Sequence, residues 1–233
     1  MSEAAWKKVG ALKHLPVFPL PLVLLPGELL PLHIFEPKYK QMLTDIEQEN
    51  RMFGISLLET DTAGLELPEI GSIGCVAEVH EVQPLPDGRS NIKTLGVIRY
   101  RILDFVNLGK PYLTAEVEFF EDTKEDQTML ATAAEEIFGL FERVARAAFD
   151  LSGSRGQFPE LQRTDPEQLS FSVSAAFNFD NEVKYELLKL ESTLDRFDRL
   201  RDILRSAVGR MEESAAIHKV AQHNGHSNTK IDI

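Results

Sequence analysis

From Leu15 to Phe120 the chain runs in short apolar stretches broken by proline and glycine, and from Thr123 onward its apolar residues recur at helical spacing. That single change of period constrains the architecture most. Leu113, Ala115, Val117 and Phe119 alternate with Thr114, Glu116 and Glu118, as a strand with one buried face requires. Ile73–Val82 and Val97–Leu103 read as further strands, with a turn at Pro86-Asp87-Gly88 between them. A helix is expected over Pro37–Glu49, where Met42 and Ile46 are spaced for one face. Beyond Thr123, the residues Leu130, Ala133, Ile137, Leu140, Phe141, Val144 and Ala148 form one stripe. Thr123 with Asp126 resembles a capping box for this helix. A second helix starts at Asp165-Pro166-Glu167-Gln168, with Asp as N-cap and Pro in the first turn. A third is expected over Asn181–Leu190. Ser192 with Asp195 opens a last one carrying Leu194, Phe197, Leu200, Leu204, Val208 and Met211. The fold class is therefore α+β: a β-rich part over residues 12–121, a helical bundle over 122–213, and a polar tail expected to be disordered over 214–233.

Charge narrows the functional classes. The formal net charge is -12, so the overall field repels phosphate, whereas proteins that bind polyanions carry a basic stripe. Cys75 is the only cysteine, which rules out an internal disulfide and suits a reducing compartment. The apolar run Leu15–Leu25 follows Lys7, Lys8 and Lys13 but contains Pro16, Pro19 and Pro21, which break a signal-peptide helix. No stretch of about 20 unbroken apolar residues is present to span a bilayer. The expected location is cytoplasmic.

Four segments then carry a family resemblance. They are Phe18-Pro19-Leu20-Pro21-Leu22-Val23-Leu24-Leu25-Pro26-Gly27-Glu28 continued by Pro31-Leu32-His33-Ile34-Phe35-Glu36-Pro37-Lys38-Tyr39; Phe53-Gly54-Ile55; Ile73-Gly74-Cys75-Val76-Ala77; and Asp87-Gly88-Arg89 leading into Gly96-Val97-Ile98-Arg99-Tyr100-Arg101-Ile102. In this order they closely resemble the Lon protease N-terminal, substrate-binding domain family, and Leu187-Leu188 and Leu190-Glu191 before Asp195-Arg196 resemble its helical extension. The resemblance implies a PUA-like β pseudo-barrel followed by helices, used by Lon to hold protein substrates. No G-x-x-x-x-G-K-[ST] segment is present to cradle ATP phosphates, and no protease segment follows the helices. The chain is thus expected to be a stand-alone, non-enzymatic module, for which a peptidase label would be inherited from full-length relatives.

The candidate binding residues are Phe35, Glu36, Tyr39, Phe53, Arg99, Tyr100 and Arg101. Such aromatic density fills a core by default; exposed members would line an apolar groove for extended chains. The implied partners are unfolded or hydrophobic protein segments, with a protease or chaperone beside them, in an adaptor or quality-control role. No membrane partner is expected. A rival reading is RNA binding by the barrel, which needs a contiguous patch of Lys93, Arg99, Arg101 and Lys110. A hydrolase is the third reading. No catalytic residue, cofactor or metal is expected: His33 and Glu36 are spaced H-x-x-E, unlike the H-E-x-x-H zinc motif. Cys75 and His80 point to opposite faces of one strand. His218, His223 and His226 read as a solvated tail.

Overall fold

A computed structural model describes residues 3–10, 12–58, 67–152, 158 and 160–224. A short helix α1 (Glu3–Val9) precedes β1 (Leu15–Leu20) and β2 (Leu29–Ile34). Helix α2 (Pro37–Glu47) then leads to β3 (Met52–Leu57), β4 (Ile73–Pro84), β5 (Ser90–Phe105) and β6 (Leu113–Phe120). The helices α3 (Gln127–Leu151), α4 (Pro166–Ala176), α5 (Asn181–Lys189) and α6 (Thr193–Asn224) complete the chain. Among the described residues no helix is long and apolar enough to cross a membrane.

The strands run in the order β2-β5-β4-β3-β1-β6, and β6 also pairs with β5. Five strands therefore close into a barrel, and β2 stands outside the ring. The length of β5 makes this possible. Its first half pairs with β2 (Leu29↔Leu95 to Ile34↔Ser90), and its second half pairs with β6 (Arg99↔Phe120 to Phe105↔Ala115). Strands β1 and β3 are parallel, so the chain must cross between them, and α2 is that crossover. The prolines of β1 fit because its two partners are offset. Pro16 lies where only β6 pairs and Pro19 where only β3 pairs, leaving each proline one side that needs no donor.

The barrel interior is filled by Leu15, Val17, Val76, Ile98, Tyr100, Ile102 and Ala115. The Tyr100 ring lies across Gly54 and Gly74, where a Cβ would come within 2.4 and 2.5 Å of it. Its hydroxyl shares a 2.6 Å hydrogen bond with Ser56 Oγ, and burial pushes the phenol pKa up. Helix α2 covers a second face, packing Tyr39, Met42, Leu43 and Ile46 onto Phe18, Phe53, Ile55, Cys75 and Val79. Asp45 on α2 accepts from Lys110 Nζ and Tyr112 Oη, both at 2.7 Å. The hydrogen bonds from Lys110 and then Tyr112 hold its carboxyl at about 2, below the ordinary 3.8. A depressed carboxyl pKa stabilises the fold fully above the unfolded value and loses that contribution as pH falls through the folded value. Asp45→Asn is accordingly expected to flatten the stability profile between about pH 4 and pH 2 in acid titrations followed by circular dichroism.

The helices bury Ile137, Val173, Leu187, Phe197, Leu200 and Leu204 among themselves. Val23, Leu25 and Ile73 of the barrel meet Phe171 and Leu188 of the helices in a further apolar cluster. Three local expectations change. Asp126, not Thr123, caps α3, accepting from the amides of Thr128 and Met129. Thr123 instead gives both its amide and its hydroxyl to Glu191 O, because it belongs to the joint with the helices. Helix α1, whose Val9 is fully buried, lies ahead of the expected start at residue 12. Helix α6 continues to Asn224, past the expected bundle end at 213, through a stretch that holds Ala215, Ala216, Lys219, Ala221 and Gln222, all good helix formers, and no Gly or Pro. The remainder of the expected tail, including His226, lies outside the described residues.

Candidate binding surface

Strand β2 pairs with β5 on one side and, among the described residues, has no strand on the other. Its burial alternates: Leu29, Pro31 and His33 are exposed, Leu30 and Leu32 half-buried, and Ile34 buried. Gly96 N donates to Glu28 O, and Thr94 Oγ1 donates to Leu30 O. Antiparallel alternation then turns the backbone groups of Leu30, Leu32 and Ile34 toward β5, and those of Leu29, Pro31 and His33 toward the open edge. The outer face carries an apolar column at that edge, with Leu29 71% and Phe35 57% exposed. Lys93 and Asn91 stand opposite Pro31 and His33 on β5, and Glu81 and Gln83 continue the same rows on β4. A cavity of about 270 Å³ lies over this face, lined by Pro31, His33, Glu81, Gln83, Asn91 and Lys93 among others.

The face is rigidly supported. Gly27 N donates to Gly96 O, locking the Pro26-Gly27 turn onto β5, and Gly27 takes the positive φ of 78° that such a turn needs. Glu28 accepts from Leu25 N and from Lys184 Nζ of α5, tying the start of β2 to the helices. Pro31 sits at mid-strand on the open edge, where a residue with an N–H would offer a donor to any passing strand. It blunts that edge. Pro31→Val restores the donor, so the variant is expected to self-associate with rising concentration in analytical ultracentrifugation while the parent chain does not.

The seven candidate residues separate sharply. Phe35 and Glu36 lie beside one another at the end of β2, with Phe35 stacked on His33 at a centroid distance of 6.0 Å. Tyr39 is buried and stacked on Phe18 at 3.7 Å. Phe53 and Tyr100 have no exposed surface and fill the core, so neither lines a groove. Arg99 is also fully buried: it donates to Leu188 O and Leu190 O, pairs with Asp122, and lies over the Phe120 ring. Arg101 is half-buried and pairs with Glu191 and Glu118, away from β2. The residues that sequence reasoning did not assign to the site are Leu29, Pro31 and His33. Their alternation with Leu30, Leu32 and Ile34 was visible, but both rows are mostly apolar, so pattern alone could not say which row faces out.

The four cations required for an RNA patch are each occupied. Lys93 pairs with Glu81 at 2.6 Å, Arg99 with Asp122, Arg101 with Glu191 and Lys110 with Asp45. A patch built on them carries no excess positive charge. Burial pushes the Cys75 thiol up to about 12, so it is a neutral core group at ordinary pH. Among the described residues no cluster of three His, Cys, Asp or Glu side chains is placed to hold a metal ion.

A barrel with an outlying edge strand and a helical layer over one side defines the Lon N-terminal fold class. The Xanthomonas campestris Lon N-terminal domain protein matches 81% of this chain and 97% of its own with a TM-score of 0.58 at 20% identity. The N-terminal domain of the Mycobacterium avium complex Lon protease matches 83% and 98%, with a TM-score of 0.60 at 20% identity. The chain belongs to the ATP-dependent protease La (LON) substrate-binding domain family, whose model matches residues 14–206. Lon protease 1 of Hydrogenovibrio crunogenus is 25% identical over 224 residues, covering 90% of this chain and 26% of that relative. The Lon protease of Parabacteroides distasonis is 29% identical over 124 residues, covering 52% of this chain and 15% of its own length. The chain thus spans about a quarter, or less, of the curated Lon proteases it matches.

Proposed function

We propose that this chain is a non-enzymatic protein-binding module that holds extended apolar segments of client proteins on the outer face of β2, in an adaptor or quality-control role. The observation that carries the reading is the exposed apolar column Leu29, Pro31 and Phe35 on a strand with one open edge. Exposed apolar residues scattered singly need no explanation, whereas Leu29, Pro31 and Phe35 follow one row, with the His33 ring stacked on Phe35 between them, and present area to a partner at little ordering cost. The blunted edge makes side-chain burial, rather than a full ladder of backbone hydrogen bonds, the source of affinity. Phe35 supplies the largest anchor in the column, and Glu36 borders it. The balanced pairs Lys93–Glu81 and Lys8–Glu78 alongside make the attraction tolerant of salt.

The test is fluorescence anisotropy with labelled apolar peptides and one permanently unfolded protein, with an RNA oligomer as control, at two salt concentrations. Removing two exposed apolar side chains from the column, as in Leu29→Ser with Phe35→Ala, is expected to weaken peptide binding by at least about tenfold, given the transfer energy of such groups. Both side chains are solvent-exposed, so the variant is expected to melt as the parent does. Unchanged peptide affinity in a folded double variant would remove β2 as the binding surface. Steeply salt-sensitive RNA binding would replace the reading with the polyanion one.

A further inference from the structure

We infer that the client segment carries an acidic side chain beside its apolar anchor, and that Arg89 and Lys40 receive it at the Phe35 end of the face; this rests on the β2 reading above. Strand β2 pairs as far as Ile34↔Ser90, so continuing the register sets Arg89 opposite Phe35. Asp87 accepts from Arg89 Nε at 2.6 Å and also binds Nη2. The remaining nitrogen, Nη1, is thereby aimed along the outer face, 3.4 Å from His33 Nε2. His33 Nδ1 lies 2.8 Å from Asn91 Oδ1, and in the neutral tautomer that donates there Nε2 is an acceptor for that guanidinium. The guanidinium is thus held in place before any ligand arrives, and it still has a donor to give.

Lys40 completes the pair. Its Nζ reaches over the β4–β5 turn, to 3.9 Å from where a Cβ on Gly88 would sit. It makes no ion pair with the described residues, in contrast to Lys8, Lys93 and Lys110. Around Phe35 the cations Lys38, Lys40 and Arg89 outnumber the anions Glu36 and Asp87 by one. The other end of the same face is balanced, Lys8 against Glu78 and Lys93 against Glu81. Across a chain of net charge -12, an acidic group is repelled in general and accepted here. An apolar column alone reads area without direction; a fixed cationic end gives the bound segment an orientation.

The experiment uses the full chain and three labelled apolar ten-residue peptides with one Phe anchor. One carries Glu two residues from the anchor and one carries Gln there, both with blocked ends; the third carries Gln with a free terminal carboxylate. The Glu peptide is expected to bind about fivefold tighter than its Gln twin at low salt, as a solvent-accessible charge pair allows. That advantage should vanish in Lys40→Gln with Arg89→Gln, while Gln-peptide affinity stays unchanged. Equal binding of the blocked peptides overturns this inference and leaves the β2 face standing. An advantage retained by the double variant overturns the assignment to Lys40 and Arg89. A gain only for the free carboxylate would mean that chain ends, not acidic side chains, are recognised. Failure of every peptide overturns this inference and the β2 reading together.

Discussion

Asp122→Asn is expected to cost about 3–5 kcal/mol of folding stability, the range for breaking a buried ion pair by removing one partner. Asp122 is the carboxylate that bonds both of two fully buried guanidiniums, Arg99 from the barrel and Arg196 from α6, and it also accepts from Thr193 Oγ1. Leu190 O takes a bond from each arginine, Ser170 Oγ accepts from Arg196 Nε at 2.7 Å, and Phe171 stacks beneath Arg196 at 3.9 Å. Burial lowers the Arg196 pKa, with the Asp122 charge acting in the opposite direction. The asparagine side chain matches the volume but turns an amide donor toward donors and removes the carboxylate that bonds both cations. Urea denaturation should show the loss as a shifted midpoint with an unchanged slope. Replacing all three members together, by Arg99→Met, Asp122→Leu and Arg196→Met, should cost less than the single change, because no charge is then stranded. A loss below about 1 kcal/mol for Asp122→Asn would show that water reaches the joint and that the arginines are not held by this carboxylate.

Gly96→Ala is expected to rank next, at about 3 kcal/mol, the upper part of the range for overpacking. A Cβ there would sit 2.1 Å from Leu25 O and 3.0 Å from Leu25 C, and backbone cannot swing aside as a flexible side chain does. The only relief is to lift the Pro26-Gly27 turn, which breaks the bonds Gly27 N to Gly96 O and Gly96 N to Glu28 O. Those bonds set the start of β2, so the variant should lose peptide affinity as well as thermal stability. Gly27 is a useful contrast, since nothing lies within 4 Å of its Cβ position and its cost would come from its positive φ alone. Hydrogen exchange offers a direct reading: protection across Leu29–Ile34 should fall first in Gly96→Ala, with β3 and β4 amides unaffected. Uniform loss across the barrel would mean that the turn is not a separate support for β2.

Both substitutions fall where sequence reasoning saw part of the truth. The pattern from Val97 to Leu103 signalled a strand, and the structure has that strand within β5. Spacing could not show that the helices cover Arg99 and leave Arg101 half-exposed, because its carboxylate and its fellow cation, Asp122 and Arg196, lie far along the chain. The caps at Asp165 and Ser192 were legible because the partner amides are within three residues. The α3 start was shifted from Thr123 to Asp126 because Thr123 is held by Glu191, a contact outside any local window.

The sequence by itself determined the two periodicities, the helix starts with adjacent caps, the turn at Asp87-Gly88, and the family. Each rests on residues near in the chain, where backbone geometry and side-chain spacing act directly. Tertiary structure alone decided which aromatic residues are core and which are surface. Phe35 and Phe53 are the same residue in similarly apolar runs, yet α2 and β1 cover Phe53, and Phe35 is left more than half exposed. It also decided that four cations were already matched to carboxylates, and that Lys40 was not matched to one among the described residues. Exposure and charge pairing are set by whatever packs over a residue, and those neighbours are chosen by barrel closure rather than by local sequence.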